Sequence, residues 1–162
     1  DYFNHVSDEE VNPVHIEKFF GSGFSQTLLG DIPLTGRVDR IDLLDAEKKL
    51  VRVVDYKTGR VQSANEIEGK TLSAGLSERE LSLPEAIRGP YKRQLLFYKL
   101  LTELDTTFNQ TVTFGTFEFI EPAKTSQKFV RREFELYQKD VDLLKELIKE
   151  IMSELRALKF LK

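Results

Sequence analysis

The sequence predicts one α/β domain in which helices cover a β-sheet. Residues 34–44 and 50–57 are rich in β-branched and other apolar residues and flank a short polar turn, which predicts a hairpin. Residues 111–121 carry apolar side chains on both faces, as strands in the middle of a covered sheet do. Apolar residues recur at helical spacing over 91–104 and 139–158, and these segments predict the two main helices.

The remaining segments complete the predicted order. Residues 13–20 predict a first strand, a glycine-rich turn follows, and residues 24–29 either continue that strand or pair with it. Residues 60–89 are polar and lack apolar periodicity, which predicts a long loop or lid with a turn of helix near Ser77. Residues 129–136 alternate weakly between polar and apolar, and they predict an edge strand.

The predicted hairpin brings two carboxylates together. A turn centred on Glu47 places Asp39 directly opposite Asp55, and like charges in that position destabilise a sheet. Lys57 lies two residues after Asp55 and therefore points to the same face. Two carboxylates tolerate this proximity when a divalent cation lies between them, and Mg²⁺ prefers oxygen ligands. The pattern therefore predicts a metal site at one end of the sheet.

The residue types in this cluster suit the hydrolysis of a phosphodiester bond. A bound metal lowers the pKa of its water and stabilises negative charge on a phosphoryl oxygen. A neighbouring lysine such as Lys57 can orient that water or balance the developing charge. The alternative is an ordinary amphipathic hairpin in which Arg37 pairs with Asp55 and Lys57 pairs with Asp39.

The first main helix carries a second group of polar residues. Gln94 and Tyr98 are four residues apart and share one helix face, where they bind a ligand or simply pack. Arg88, Lys92 and Arg93 gather at the helix N-terminus, where free backbone N–H groups and the helix dipole favour an anion. We expect these three to contact phosphate groups, and the alternative is a solvated helix end.

Composition limits the possible functions. The 162 residues suit a single domain, 1–162, and 40% hydrophobic with 31% charged residues are typical of a soluble globular protein. The chain has no cysteine, which excludes disulfides, a thiolate nucleophile and a cysteine-held iron–sulfur cluster, and fits the cytoplasm. Because the net charge is −3, contact with nucleic acid must come from local patches or a bound metal. No segment is apolar enough to span a membrane, so we expect no membrane partner.

Three motifs follow one another along the chain: Gly36-Arg37-Val38-Asp39-Arg40-Ile41-Asp42, then Val53-Val54-Asp55-Tyr56-Lys57-Thr58-Gly59, then Gln94-Leu95-Leu96-Phe97-Tyr98. Each is weak alone, but together they closely resemble the RecB-type branch of the PD-(D/E)XK nucleases. Residues 88–95 and 117–122 are similar to the nuclease module at the C-terminus of UvrD/Rep-type DNA helicases.

This resemblance implies a restriction-endonuclease-like core, in which a central mixed β-sheet is flanked by helices. It implies that Asp39, Asp55 and the backbone carbonyl of Tyr56 bind Mg²⁺ or Mn²⁺. It further implies that Lys57 orients or activates the attacking water.

The resemblance also implies a setting. Gln94 and Tyr98 would support the site and meet the DNA backbone. The implied substrate is DNA, and the implied partner is the helicase ATPase domain of the same longer chain. We therefore expect helicase-coupled processing of DNA ends in repair or recombination, in the cytoplasm of a bacterium.

The chain departs from the family near its N-terminus. Family members begin with a helix whose His or Glu reaches the metal, whereas the candidates here are His5, His15 and Glu17. We expect His15 to be a surface or packing residue of a strand, and Glu17 to be a weak substitute ligand. Because the chain opens in a polar stretch without methionine, we expect it to be a fragment that lacks the first family helix.

Two other functions stay open at this stage. Without its third ligand, the domain could serve a helicase as a non-catalytic platform that binds DNA or docks a partner. A carboxylate pair could also act without metal, as in glycosidases. However, acids opposite each other on adjacent strands have Cβ atoms only about 5 Å apart, which leaves little room for a sugar and gives Lys57 no task.

Overall fold

The structure, a computed structural model, describes residues 11–21, 23, 26–71, 77–121 and 129–159. The strands are β1 (Pro13–Phe20), β2 (Leu28–Leu29), β3 (Ile32–Pro33), β4 (Gly36–Asp45), β5 (Leu50–Lys57), β6 (Thr111–Phe119) and β7 (Val130–Glu135). The helices are α1 (Ala64–Ile67), α2 (Glu78–Ser82), α3 (Glu85–Arg88), α4 (Pro90–Leu104) and α5 (Gln138–Lys159). The predicted hairpin, first strand, edge strand and both main helices are present.

Five strands form one mixed sheet in the order β1-β4-β5-β6-β7. Strand β6 runs parallel to β5, and the other neighbouring pairs are antiparallel. Parallel neighbours need a crossover connection, and α4 lies in the connection between β5 and β6. The predicted α/β fold with a central mixed sheet flanked by helices is therefore confirmed.

Two predicted segments differ from the structure. Of residues 24–29, only Leu28–Leu29 forms a strand, and it pairs with Ile32–Pro33 in a separate two-stranded sheet instead of with β1; residues 24 and 25 lie outside the described residues. The described part of 60–89 holds α1, α2 and α3 instead of a continuous loop, and the turn of helix predicted near Ser77 is confirmed, since Ser77 is the N-cap of α2. Helices of four or five residues are too short to give a periodic apolar pattern, so apolar periodicity does not predict them.

One face of the sheet packs against α4. A Cβ atom on Gly115 of β6 would lie 3.0 Å from the Cβ of Leu95, so the absence of a side chain lets the helix approach. The helix begins with Pro90 in its first turn, where proline is favoured. The buried core combines residues of the strands and of both long helices: Phe20, Ile41, Val51, Val53, Leu95, Leu96, Leu100, Leu101, Phe117, Phe119, Val141 and Leu144.

The second long helix forms a further layer. Helix α5 packs principally against α3 and α4, and its Val141 and Leu144 belong to the same buried core as the strands that these helices flank. The apolar stripe that predicts this helix is real, but its partner is another helix. None of the helices in the described parts of the chain is long and apolar enough to cross a membrane.

The sheet face opposite α4 carries a buried charge network centred on Arg40. The guanidinium group donates hydrogen bonds of 2.8 and 3.1 Å to Asp42 and of 3.1 and 2.7 Å to Glu118, and it also donates to the hydroxyl of Tyr56. Arg52 donates to Asp42 at 3.1 Å. Burial lowers the pKa of Arg40, but its hydrogen bonds to Glu118 and Asp42, together with their negative charges, outweigh burial and raise it. The network therefore joins β4, β5 and β6 through charged groups.

This network changes the prediction for β6. The strand is the fourth of five and so lies inside the sheet, as the sequence predicts. Its residues Thr116 and Glu118, however, pair with Val54 and Tyr56 on the face away from α4. That face of β6 therefore carries buried polar groups in place of the predicted apolar layer.

We predict that Arg40→Met lowers the free energy of unfolding by about 3–5 kcal/mol, because the buried carboxylates of Asp42 and Glu118 then lose the hydrogen bonds that Arg40 donates. Urea denaturation followed by circular dichroism measures this loss. The matched control is Arg79→Met, whose ion pair with Glu154 is exposed on both sides and whose loss should change stability far less. Equal losses in the two variants would contradict a stabilising role for the network.

Candidate active site

Asp39 and Asp55 lie side by side at one end of the hairpin. Ile41 faces Val53 in the pairing of β4 with β5, and the same register carries Asp39 opposite Asp55. The predicted register is therefore confirmed, but a β-bulge between Leu43 and Asp45 pairs Asp45 with Leu50, so the turn over residues 46–49 is not centred on Glu47. The burial of Ile41 and Val53 favours this register, because a shift of one residue would move both side chains from the apolar face under α4 to the face that carries the charge network. The backbone N–H of Tyr56 donates a hydrogen bond of 3.0 Å to Oδ2 of Asp39.

Lys57 lies next to Asp55 at the end of β5. Its Nζ is 2.7 Å from Oδ2 of Asp55 and donates a hydrogen bond of 2.7 Å to Oε1 of Gln94. The rings of Tyr91 and Phe117 lie against the same ammonium group, with their centroids 4.6 and 5.1 Å from Nζ. With its side chain 18% exposed, Lys57 is held in place yet still open to a small ligand.

Helix α4 supplies two donors to one oxygen of Asp55. Nε2 of Gln94 lies 2.8 Å from Oδ1 of Asp55, and the hydroxyl of Tyr98 donates to the same atom at 2.7 Å. Nε2 of Gln94 also donates to the Tyr98 hydroxyl oxygen at 2.7 Å. Burial raises the pKa of Tyr98, and the hydrogen bond to Asp55 raises it further, so this hydroxyl keeps the proton that it donates.

The other oxygen of Asp55 is left without a hydrogen bond. Among the residues that the structure describes, none donates to Oδ2 of Asp55, although this atom is buried. The ammonium group of Lys57 is at ion-pair distance from Oδ2, but its approach lacks hydrogen-bond geometry. Buried carboxylate oxygens normally have such partners, and Mg²⁺ and Mn²⁺ bind oxygen ligands of this type. The carboxylate oxygens at this point are ligand atoms that suit a hard divalent cation.

The side chains proposed as a third ligand do not join this site. Within the described ranges, no group of three His, Asp or Glu side chains could hold a metal ion. His15 packs against an aromatic ring, and Glu17 forms an ion pair with Arg37 at 3.8 Å. His5 lies outside the described residues. Among the described residues, the candidate carboxylate ligands are therefore the two aspartates.

The sequence model of the PD-(D/E)XK nuclease superfamily matches residues 1–161, which is nearly the whole chain. The chain belongs to this superfamily. Its members are generally nuclease hydrolases that use divalent metals, so the family indicates a nuclease domain and leaves the glycosidase alternative without support. No curated protein matches the chain significantly.

The simple hairpin alternative is not supported by the ion pairs of this PD-(D/E)XK domain. It requires Arg37 to pair with Asp55 and Lys57 to pair with Asp39. In the described residues, Arg37 pairs with Glu17, and Lys57 pairs with Asp55 instead. The Lys57–Asp55 contact brings together the two charged residues of the Asp-x-Lys motif.

All three basic residues expected to contact phosphate are engaged within the chain. Arg88 donates hydrogen bonds of 3.1 and 3.3 Å to the backbone carbonyl of Leu83. Nζ of Lys92 lies 3.6 Å from Glu68 and 3.9 Å from Asp140, and its side chain is only 12% exposed. These residues are therefore not a simple solvated helix end, and contact with DNA stays a prediction.

The third basic residue, Arg93, joins α4 to the two short helices before it. Its guanidinium group donates to both carboxylate oxygens of Glu80 in α2. It also donates, at 2.8 Å each, to the backbone carbonyls of Ile87 and Arg88 at the end of α3. This arrangement satisfies carbonyl groups that the end of a helix leaves without partners. Arg93 thus has a structural task that the sequence did not reveal.

Sequence reasoning also missed Tyr91, which lies in the first turn of α4 three residues before Gln94. The spacing places it on the same helix face as Gln94 and Tyr98, because residues three and four apart are neighbours. This spacing was the available signal, but tyrosines at helical spacing are ordinary core residues. Only the contact with Lys57 distinguishes it.

We predict that Arg93→Met lowers the free energy of unfolding by roughly 1.5–3 kcal/mol, the range for hydrogen bonds to a charged group. The reason is that it removes bonds to Glu80 and to two carbonyl groups. Chemical denaturation gives this value. Lys149→Met is the control, since that lysine forms an exposed ion pair with Glu146 of the same helix. If Arg93→Met is as stable as the wild type, the structural task is refuted.

Proposed function

We propose that this domain is a divalent-metal-dependent DNA nuclease. The observation that carries the proposal is the difference between the two carboxylate oxygens of Asp55. Gln94 and Tyr98 donate hydrogen bonds to Oδ1, whereas Oδ2 is buried without a hydrogen bond beside Lys57. Because Gln94 and Tyr98 occupy Oδ1, Oδ2 is the oxygen of Asp55 that is left to bind a cation beside Lys57.

The metal ligands in this proposal are Asp39, Asp55 and the backbone carbonyl of Tyr56, which would hold Mg²⁺ or Mn²⁺. A cation bound there lowers the pKa of its water and stabilises negative charge on a phosphoryl oxygen. The chain itself arranges the ligands: the N–H of Tyr56 orients the Asp39 carboxylate, and α4 orients that of Asp55. The ligands are thus positioned before a cation arrives.

Lys57 is the residue that acts on the attacking water. Its ammonium group lies 2.7 Å from Oδ2 of Asp55, so it can orient a water there or offset the negative charge that develops on the phosphate. Gln94 links the two catalytic residues, since it accepts from Lys57 and donates to Asp55. These contacts hold both groups in one fixed geometry.

The substrate and the setting rest on the resemblance to the RecB-type branch. The motifs at 36–42, 53–59 and 94–98 and the flanking segments 88–95 and 117–122 are similar to the nuclease module of UvrD/Rep-type helicases. We propose that the substrate is DNA and that cleavage is coupled to a helicase in repair or recombination. Arg88, Lys92 and Arg93 are the proposed contacts to the DNA backbone, in addition to the contacts that they make within the chain.

A second candidate is a non-catalytic module that binds DNA or docks a partner for a helicase. The observation that favours it is the lack of a third His, Asp or Glu ligand among the described residues. Binding without cleavage, in the presence of Mg²⁺ or Mn²⁺, would distinguish this candidate from the nuclease.

We predict that the protein degrades single- or double-stranded DNA with Mg²⁺ or Mn²⁺ and that EDTA stops it. Asp55→Asn and Lys57→Ala should each lower kcat by roughly 100- to 1,000-fold, because each removes a group that stabilises the transition state. Asp142→Asn and Lys149→Ala, on the exposed side of α5, are the matched controls. Wild-type rates in Lys57→Ala would refute its role, and an inactive wild type that still binds DNA would favour the second candidate.

A separate prediction concerns the two donors on α4. Tyr98→Phe removes one hydrogen bond to Asp55, whereas Gln94→Leu removes contacts to Asp55, Tyr98 and Lys57 together. We expect Gln94→Leu to reduce kcat and metal affinity more than Tyr98→Phe does. Calorimetric titration with Mn²⁺ and cleavage rates measure both effects, and the reverse order would contradict the role given to Gln94.

A further inference from the structure

Two neighbouring aromatic rings, which neither the motif nor the proposed mechanism includes, lie against the ammonium group of Lys57. The ring centroids of Tyr91 and Phe117 lie 4.6 and 5.1 Å from its Nζ. The two rings are 5.3 Å apart and tilted by 41° to each other. Together with Asp55 and Gln94, they give the ammonium group four neighbours from three elements, β5, α4 and β6.

The fold brings both rings to this point for independent reasons. Phe117 in β6 is the register partner of Asp55 in the parallel pairing, so its side chain shares the face that carries the site. Tyr91 belongs to α4 and lies on the same helix face as Gln94, one turn earlier. The helix that fixes Asp55 therefore also presents a ring to Lys57.

From this geometry we infer that Tyr91 is a positioning residue for Lys57, an inference that rests on the proposed function. The faces of aromatic rings carry partial negative charge and attract an ammonium group within about 6 Å of the centroid. The lysine stem is a flexible chain of four carbons. Asp55 and Gln94 hold Nζ by an ion pair and a hydrogen bond, and the two rings add contacts that restrict its movement.

The part of Tyr91 that performs this task is its ring. Phe117 offers the same ring without a hydroxyl, but it is fully buried in the core, so its replacement would disturb the fold. Tyr91 is only half-buried at the start of α4 and can be replaced with less disturbance. If Tyr91 had a purely structural role, its replacement would lower the stability of the fold and leave the mobility and reactivity of Lys57 unchanged.

The experiment compares Tyr91→Phe, which keeps the ring, with Tyr91→Leu and Tyr91→Met, which remove it. The Leu and Met variants should lower kcat by roughly 3- to 30-fold, as expected for a desolvated cation–ring contact, with little change in KM for DNA. Tyr91→Phe should recover most of that loss. The control is Tyr137→Leu, which removes a similar lysine–tyrosine contact, 5.4 Å from Nζ of Lys139 to the ring centroid, outside the site.

A second readout does not require cleavage. Acetic anhydride acylates exposed and mobile lysines faster, and mass spectrometry follows Lys57 with Lys139 as the internal reference. We expect faster acylation of Lys57 in Tyr91→Leu and Tyr91→Met than in the wild type and Tyr91→Phe. If the wild type cleaves no DNA, the proposed function fails, and the acylation rates still decide the role of Tyr91. Equal acylation of Lys57 in all four proteins, or an equal loss of kcat in Tyr91→Phe and Tyr91→Leu, overturns the inference.

Discussion

The site depends on two hydrogen bonds that a single helix donates to one carboxylate oxygen. Gln94 and Tyr98 both hold Oδ1 of Asp55, and bonds to an ionised acceptor are the stronger kind. Once they fix the rotation of the carboxylate, Oδ2 has to lie beside Lys57, buried and without a hydrogen-bond donor among the described residues. The contact between α4 and β5 thus creates a buried negative charge that a cation can compensate.

The contact between α4 and β5 in turn depends on residues on both faces of the sheet. Gly115 lets α4 approach the face that carries the site. On the other face, Arg40 joins three strands through Asp42 and Glu118, close to the hydroxyl of Tyr56. Tyr56 links the two faces, because its backbone N–H holds Asp39 while its hydroxyl accepts from Arg40. Groups that stabilise the fold therefore also hold the position of the first carboxylate.

The sequence predicts the strands of the hairpin and the residues of the site because alternation and turn length determine which side chains meet. The opposition of Asp39 and Asp55 follows from that register alone. The network around Arg40 does not, since charges on alternate strand positions normally indicate a solvated face, and here they are buried. The task of Arg93 was also hidden, because its partner Glu80 belongs to a short helix without apolar periodicity. Contacts that depend on the packing of such segments cannot be read from local pattern.

The central claim is that a divalent cation belongs between the two aspartates. A crystal structure of the protein grown with Mn²⁺, with anomalous diffraction recorded at the manganese absorption edge, tests it most directly. The account predicts one anomalous peak in contact with Asp39 and with Oδ2 of Asp55, while Gln94 and Tyr98 stay on Oδ1. The absence of a peak there at saturating Mn²⁺, with Lys57 alone neutralising Asp55, would contradict the account.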